Sequence, residues 1–208
     1  MSSLLDALKW RYATKQFDAT KRVSDTDLQT LRESIRLTAT SFGLQPFRVR
    51  VVTDPDLKLR LRAAAYNQPQ VSDASHVFVL ASKTDMTPEY IENFIRMLAE
   101  QRGIAYDDVK GYADYIKKSV AQKDEETIRD WNRRQAYVAL GSLLAAAGEL
   151  RVDACPMEGF DAAQFDEILG LGDLGLTAAV ICPVGYRSAE DQTQHYAKVR
   201  LPADQLFI

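Results

Sequence analysis

The chain has 208 residues, 46% of them hydrophobic and 26% charged, with a formal net charge of -3. That length suits one compact domain over residues 1–208, and no chain-wide basic field points to nucleic acid. The longest uncharged stretch, Gln135 to Gly148, is too short to span a bilayer, and the two cysteines form neither a disulfide framework nor metal-ligand spacing.

Ser2 or Ser3 is positioned to cap a first helix carrying Leu4, Leu5 and Leu8, which lacks the layout of a signal peptide; a cytoplasmic location follows as the default. Extended chain is expected from Tyr12 to Phe17. Ser24 and Asp27 form a capping-box pattern ahead of Leu28, Leu31 and Ile35 at helical spacing. Residues 38–46 read as a loop and residues 48–53 as a strand. Asp54-Pro55 starts a helix that fades by Tyr66, and Asn67 and Pro69 punctuate it. His76 to Ser82 is a nearly continuous apolar run, the pattern of a strand covered on both faces. Thr87-Pro88-Glu89 opens another helix, and residues 104–123 are helical in part.

Residues 124–150 read as one long helix whose second half is apolar nearly all round, so it must be buried on most sides. The second wall is equally a subunit interface or the interior of a monomer. Asp161 caps a short helix ending near Gly170, and Leu176 to Val184 is a second apolar strand. The tail from Ser188 carries little core pattern. Helices alternating with few strands give a layered α+β or α/β domain.

Few positions carry chemistry on spacing alone. Arg11 and Lys15 flank the end of the first helix, and Lys198 and Arg200, two apart, share one side of an extended tail. Converging guanidinium and ammonium groups suit a phosphate, although most such pairs are solvated surface. Asn67, Gln68 and Gln70 offer donors and acceptors for a heterocycle edge, or form a polar turn. Glu158 is a functional acid or an exposed loop residue. His76 reads as a satisfied core histidine, and Cys155 and Cys182 as inert buried thiols. There is no GxGxxG, no GxxxxGK[ST], no HExxH and no GxSxG.

Taken in order, these pieces resemble the nitroreductase family over essentially the whole chain. The matching segments are Arg11 to Phe17, the loop Ala39 to Phe47, Asn67 to Gln70, Asp73 to His76, Pro156 to Phe160, Val180 to Gly185 and Lys198-Val199-Arg200. The resemblance implies a nitroreductase-like fold, with a mixed central sheet flanked by helices in an intertwined homodimer. It implies FMN as cofactor, NADH or NADPH as reductant, and ping-pong hydride transfer to nitroaromatic, quinone or similar small-molecule acceptors, with no nucleic-acid or membrane partner and no metal.

Carried over position by position, Arg11, Lys15, Lys198 and Arg200 would bind the phosphate and ribityl end of FMN, with Tyr12 and Ala13 lining the same segment. Asn67 and Gln70 would meet the pyrimidine edge. Pro156, Met157, Glu158 and Gly159 would back the ring. Thr40, Ser41 and Gly43 would reach the flavin of the partner subunit. Phe42 stands where a smaller polar residue is common, so it bears on substrate choice, and Tyr112 is a candidate gating aromatic. No side-chain acid or base is expected to be indispensable. A different flavin enzyme on this scaffold (an enone or quinone reductase, or a dehalogenase) and a non-enzymatic flavin-binding protein are the alternatives.

Overall fold

The computed structural model describes residues 4–207; the expected caps Ser2 and Ser3 lie outside the described residues. The chain begins with α1 (Leu4–Trp10) and α2 (Asp25–Arg36), then a short 3-10 turn, Ser41–Gly43, within the expected loop. Strand β1 (Phe47–Val52) leads through α3 (Pro55–Ala64) and α4 (Pro69–Asp73) to β2 (His76–Lys83). Helices α5 (Pro88–Arg102), α6 (Tyr106–Val120) and the long α7 (Glu125–Glu149) follow. Then come β3 (Asp153–Ala154), α8 (Ala162–Leu169), β4 (Leu176–Gly185) and a tail with a 3-10 turn, Gln192–His195, and a last helical turn, α9 (Ala203–Leu206). Among the described residues, no helix is long and apolar enough to cross a membrane.

Local chemistry sets most of these boundaries. The side chains of Ser24, Asp54, Thr87, Asp124 and Asp161 each accept a hydrogen bond from a first-turn backbone N–H of the helix that follows. Gly103 and Gly170 end α5 and α8 in the left-handed conformation that a side chain disfavours.

The sheet order is β1-β2-β4-β3. The three ladders are all antiparallel, so the mixed character expected of the sheet reduces to one parallel bridge, Ala13 to Ala154. The two central strands explain the unbroken apolar runs. Phe78 and Leu80 of β2, with Cys182 and Val184 of β4, face Leu31 and Ile35 of α2 and Leu143 of α7. Val77 and Val79, with Ile181, face Leu61, Val71 and Phe165 on the opposite side. Alternate residues point to opposite faces, so a strand covered on both is apolar at successive positions through its middle. A third cluster joins α5 and α6 through Ile91, Ile95, Ala113 and Ile116.

Helix α7 is buried along Ala136, Ala139, Leu140, Leu143 and Ala147, against α2 and the sheet. Its other face is open within the chain: Val138 is 49% exposed, and Gly141 is exposed beside it. The apolar character of that face is therefore not accounted for by packing within this chain.

Candidate functional site: a cationic cleft between the two ends of the chain

After α1 the chain runs extended and is stitched to the far edge of the sheet. Thr14 Oγ1 donates to Asp153 Oδ1 (3.4 Å), Ala13 bridges Ala154, and Phe17 bridges Arg187. Asp153 is buried and accepts from the Arg187 guanidinium (2.6 Å to Nη2) and from the Arg187 backbone N–H (2.8 Å). The same guanidinium lies over the rings of Trp10 (4.3 Å) and Tyr12 (4.6 Å). The tail is tied to this segment by Asp191, which accepts from the Tyr12 hydroxyl (3.0 Å) and the backbone N–H of Lys15 (2.8 Å) and Gln16 (3.2 Å). Burial, then the bond to Asp191, pushes the Tyr12 hydroxyl up to about 12, so it stays a neutral donor.

These ties bring the ends of the sequence around one cleft of about 610 Å³. Arg11, Tyr12 and Ala13 line it from one side, Lys198 and Arg200 from the other, and Pro156 contributes to the wall. Lys15 is held by its backbone at Asp191 while its side chain is exposed, off that wall. With Lys9, which also lines the cleft, four cations thus share a small space, and none has a carboxylate ion-pair partner among the described residues. Burial lowers the pKa of Arg11, and Arg200 lowers it further; burial, Arg11 and Arg200 lower that of Lys198. Arg11 Nε is buried with no hydrogen-bond partner among the described residues. The Lys198 ammonium donates to the carbonyls of Leu8 (2.6 Å) and Arg11, closing the C-terminal end of α1. An orphaned donor among mutually repelling cations fits an anion with several acceptor oxygens, and a phosphate monoester is such a group.

A second cleft, of about 480 Å³, opens beside Glu158 and is lined also by Asp130, Arg133, Arg134 and Tyr137. The Tyr137 hydroxyl of α7 donates to Glu158 Oε1 (2.5 Å). Burial and this bond push the Tyr137 hydroxyl up to about 12. Met157 is buried and exchanges backbone hydrogen bonds with Ile181 (2.8 and 3.1 Å), which extends the sheet edge to the start of this segment. Gln68 Nε2 donates to the carbonyls of Gly159 (2.7 Å) and Ala65 (3.1 Å), so the carboxamide turn and the 156–159 segment are held together. Asn67 is exposed at a positive φ of 58°, whereas Gln70 is buried and its Oε1 has no partner among the described residues.

The loop after α2 stands elsewhere. Gln135 Oε1 of α7 accepts from the Ser41 backbone N–H (2.9 Å), and Thr40 Oγ1 accepts from that of Gln45 (3.0 Å). Phe42 and Gly43 both take positive φ. The Phe42 ring sits edge-on against Tyr112, Tyr115 and Trp131 at 6.2–6.4 Å. Gln135 and Gly148, which touches Ala7 of α1, are thirteen residues apart on α7, about 20 Å along its axis. One chain therefore does not bring this loop to its own Arg11–Lys198 cleft.

Sequence reasoning did not single out Asp191, Tyr137 or Gln135. Only Asp191 left a local signal, an Asp two residues before Thr193 that caps a turn. The other two act through partners distant in sequence.

A layered α+β chain with a cationic cleft closed by its own termini is the class that this geometry defines. The chain belongs to the nitroreductase family, whose model matches residues 8–186. A Staphylococcus epidermidis protein named as a candidate NAD(P)H nitroreductase is 32% identical over 99% of this chain and 96% of its own length. The candidate NAD(P)H nitroreductase YfkO of Bacillus subtilis is 35% identical, with 89% of each chain covered. Among solved structures, a candidate nitroreductase of Exiguobacterium sibiricum in complex with FMN superposes with a TM-score of 0.85 over 99% of this chain and 96% of that one. At 20% identity, that likeness is one of fold.

Proposed function

We propose that this chain is an FMN-dependent NAD(P)H oxidoreductase, one FMN-binding domain over residues 1–208, working in the cytoplasm as a homodimer. The observation that carries the reading is the Arg11–Lys198–Arg200 cleft, with its buried unpartnered Nε and no carboxylate. Arg11, Lys198 and Arg200 hold the phosphate, and Lys15 swings in from the rim. Tyr12 and Ala13 line the ribityl chain, Asn67 and Gln70 meet the pyrimidine edge, and Pro156 to Gly159 back the ring. FMN held there would supply two-electron chemistry between NADH or NADPH and a nitroaromatic, quinone or similar acceptor, the two being met in separate encounters.

The chain's own residues bind and orient. The cationic end and the backbone amides near Glu158 and Gly159 favour negative charge on the bound group. Glu158, already accepting from Tyr137, shapes the wall beside the ring and carries no obligatory proton. Dimerisation completes the site. The open face of α7 and the exposed Leu4, Leu5 and Leu8 of α1 are the surfaces a second copy covers. Thr40, Ser41 and Gly43, held at Gln135 about 20 Å along α7 from the contact with α1, then serve the partner's flavin, and the aromatic group of Phe42 and Tyr112 borders the acceptor.

The test is the absorption spectrum of the purified protein, followed by anaerobic bleaching with each nicotinamide and turnover with nitrofurazone, menadione and an enone. A flavin spectrum bleached by NADH or NADPH is expected. A colourless protein that takes up no added FMN would refute the reading in favour of a non-enzymatic role. Turnover of the enone alone would assign a different flavin enzyme on this scaffold.

A further inference from the structure

We infer that Asp191 is the positioning residue of the phosphate cleft, a role that rests on the flavin reading above. Asp191 is 1% exposed, although it lies in a tail whose neighbours are mostly open to solvent. Five donors meet it, and its two oxygens divide them. Oδ2 takes the N-terminal segment: the Tyr12 hydroxyl and the N–H groups of Lys15 and Gln16. Oδ1 takes the tail: the Thr193 N–H (3.0 Å) and hydroxyl (2.5 Å), which begin the turn leading to Lys198 and Arg200.

One carboxylate thus fixes both halves of the cleft, from residues some 175 positions apart. Burial alone would raise its pKa; the bonds from Thr193, Lys15 and Gln16 outweigh this, and the group stays ionised. It makes no ion pair with Arg11, Lys15, Lys198 or Arg200. Its acceptor positions are taken up by neutral donors, and the cations of the cleft are left without a carboxylate partner and free to meet the phosphate. A carboxylate is required because a carboxamide has a single acceptor oxygen. In Asp191→Asn, either the N-terminal donors or the Thr193 donors face an NH2 group, and one half of the cleft is released.

The role predicts selectivity for the phosphate and not for the ring. Apoprotein is titrated with FMN and with riboflavin, which lacks the phosphate, by quenching of flavin fluorescence. In wild type, FMN is expected to bind at least tenfold tighter than riboflavin. In Asp191→Asn, FMN affinity falls tenfold or more while riboflavin affinity stays within twofold. Equal losses for both ligands would show a general structural role and overturn the proposal, as would FMN affinity within twofold of wild type. Should Asp191→Asn not fold, Tyr12→Phe removes one of the three Oδ2 donors; it should show a smaller loss with the same asymmetry, and its absence there also overturns the proposal. Failure of the flavin reading itself is distinguishable, because wild type would then fail to discriminate FMN from riboflavin.

Discussion

Arg11→Met separates the stability of the cleft from its binding. The substitution keeps the apolar stem and removes the cation. In the apoprotein, the lost group includes a buried Nε with no partner and a charge repelled by Lys198 and Arg200. An unsatisfied buried donor costs about 1–3 kcal/mol. Partial exposure of the residue places the gain near the lower figure, about 1 kcal/mol, which raises Tm by about 2–4 °C in a chain of this size. With FMN the sign reverses. A hydrogen bond to a charged group contributes about 1.5–3 kcal/mol, so affinity falls roughly 10- to 150-fold. In FMN excess, the ligand's stabilisation drops by that same 1.5–3 kcal/mol, roughly, which exceeds the intrinsic gain. The variant should therefore melt above wild type without FMN and below it with saturating FMN, measured by thermal unfolding of stripped and reloaded protein. A variant less stable in both states, or one with unchanged FMN affinity, would refute the reasoning.

Lys198→Ala combined with Arg200→Ala should weaken FMN binding by at least about 100-fold, as expected for two charged contacts, and leave the elution volume in size-exclusion chromatography unchanged; unchanged affinity would remove the clamp. Gly185→Ala places a Cβ 3.0 Å from Phe17 Cδ1 and 3.1 Å from the Ser75 backbone N, so overpacking should cost about 1–3 kcal/mol in urea unfolding. His76 is buried against Ser75, and burial, aided by Arg22 and Lys58, lowers its pKa below the ordinary 6.5. The unfolded chain then binds this proton more readily, so stability is unaffected above pH 7 and falls as pH drops through 6.5 toward the folded value. His76→Asn should flatten the stability profile between pH 7 and 5; an unchanged slope would assign that slope to other groups.

The fold was legible where its determinants are local. Ser24, Asp54-Pro55, Thr87-Pro88, Asp124 and Asp161 announce helix starts because each cap bonds within three residues. The runs around Phe78 and Val180 announce buried strands because both faces are covered. Strand β3 was not legible: its two residues pair with Gly185 and Val184, and nothing in Asp153-Ala154 itself encodes that. Helix α4 was hidden because Pro69, read as punctuation, serves as its first-turn residue. In the candidate site, Arg11, Lys198 and Arg200 were visible as charges, but not the means of their convergence. That means is Asp191, and a residue joined to partners some 175 positions away leaves no periodic trace.

A cleft assembled from both ends of a chain exists only while the tail stays docked, and the tail is weakly held. Tyr196, Val199 and Leu201 are largely exposed, Val199 at 82%, and the contacts beyond Thr193 are chiefly those of Lys198 to the end of α1. Segments with few buried contacts open locally at low free energy. A phosphate bridging Arg11 to Lys198 and Arg200 stabilises the docked state alone, so it must reduce the open fraction in proportion to its occupancy and affinity. Trypsin reports this directly, because cleavage after Lys198 or Arg200 requires that side chain to leave the cleft and enter the protease. Saturating FMN should slow cleavage at these two positions by at least tenfold, riboflavin should slow it little, and Asp191→Asn should be cut rapidly with either ligand. Equal protection by FMN and riboflavin would mean that the ring and not the phosphate closes the tail, and the two ends would then be joined by packing alone.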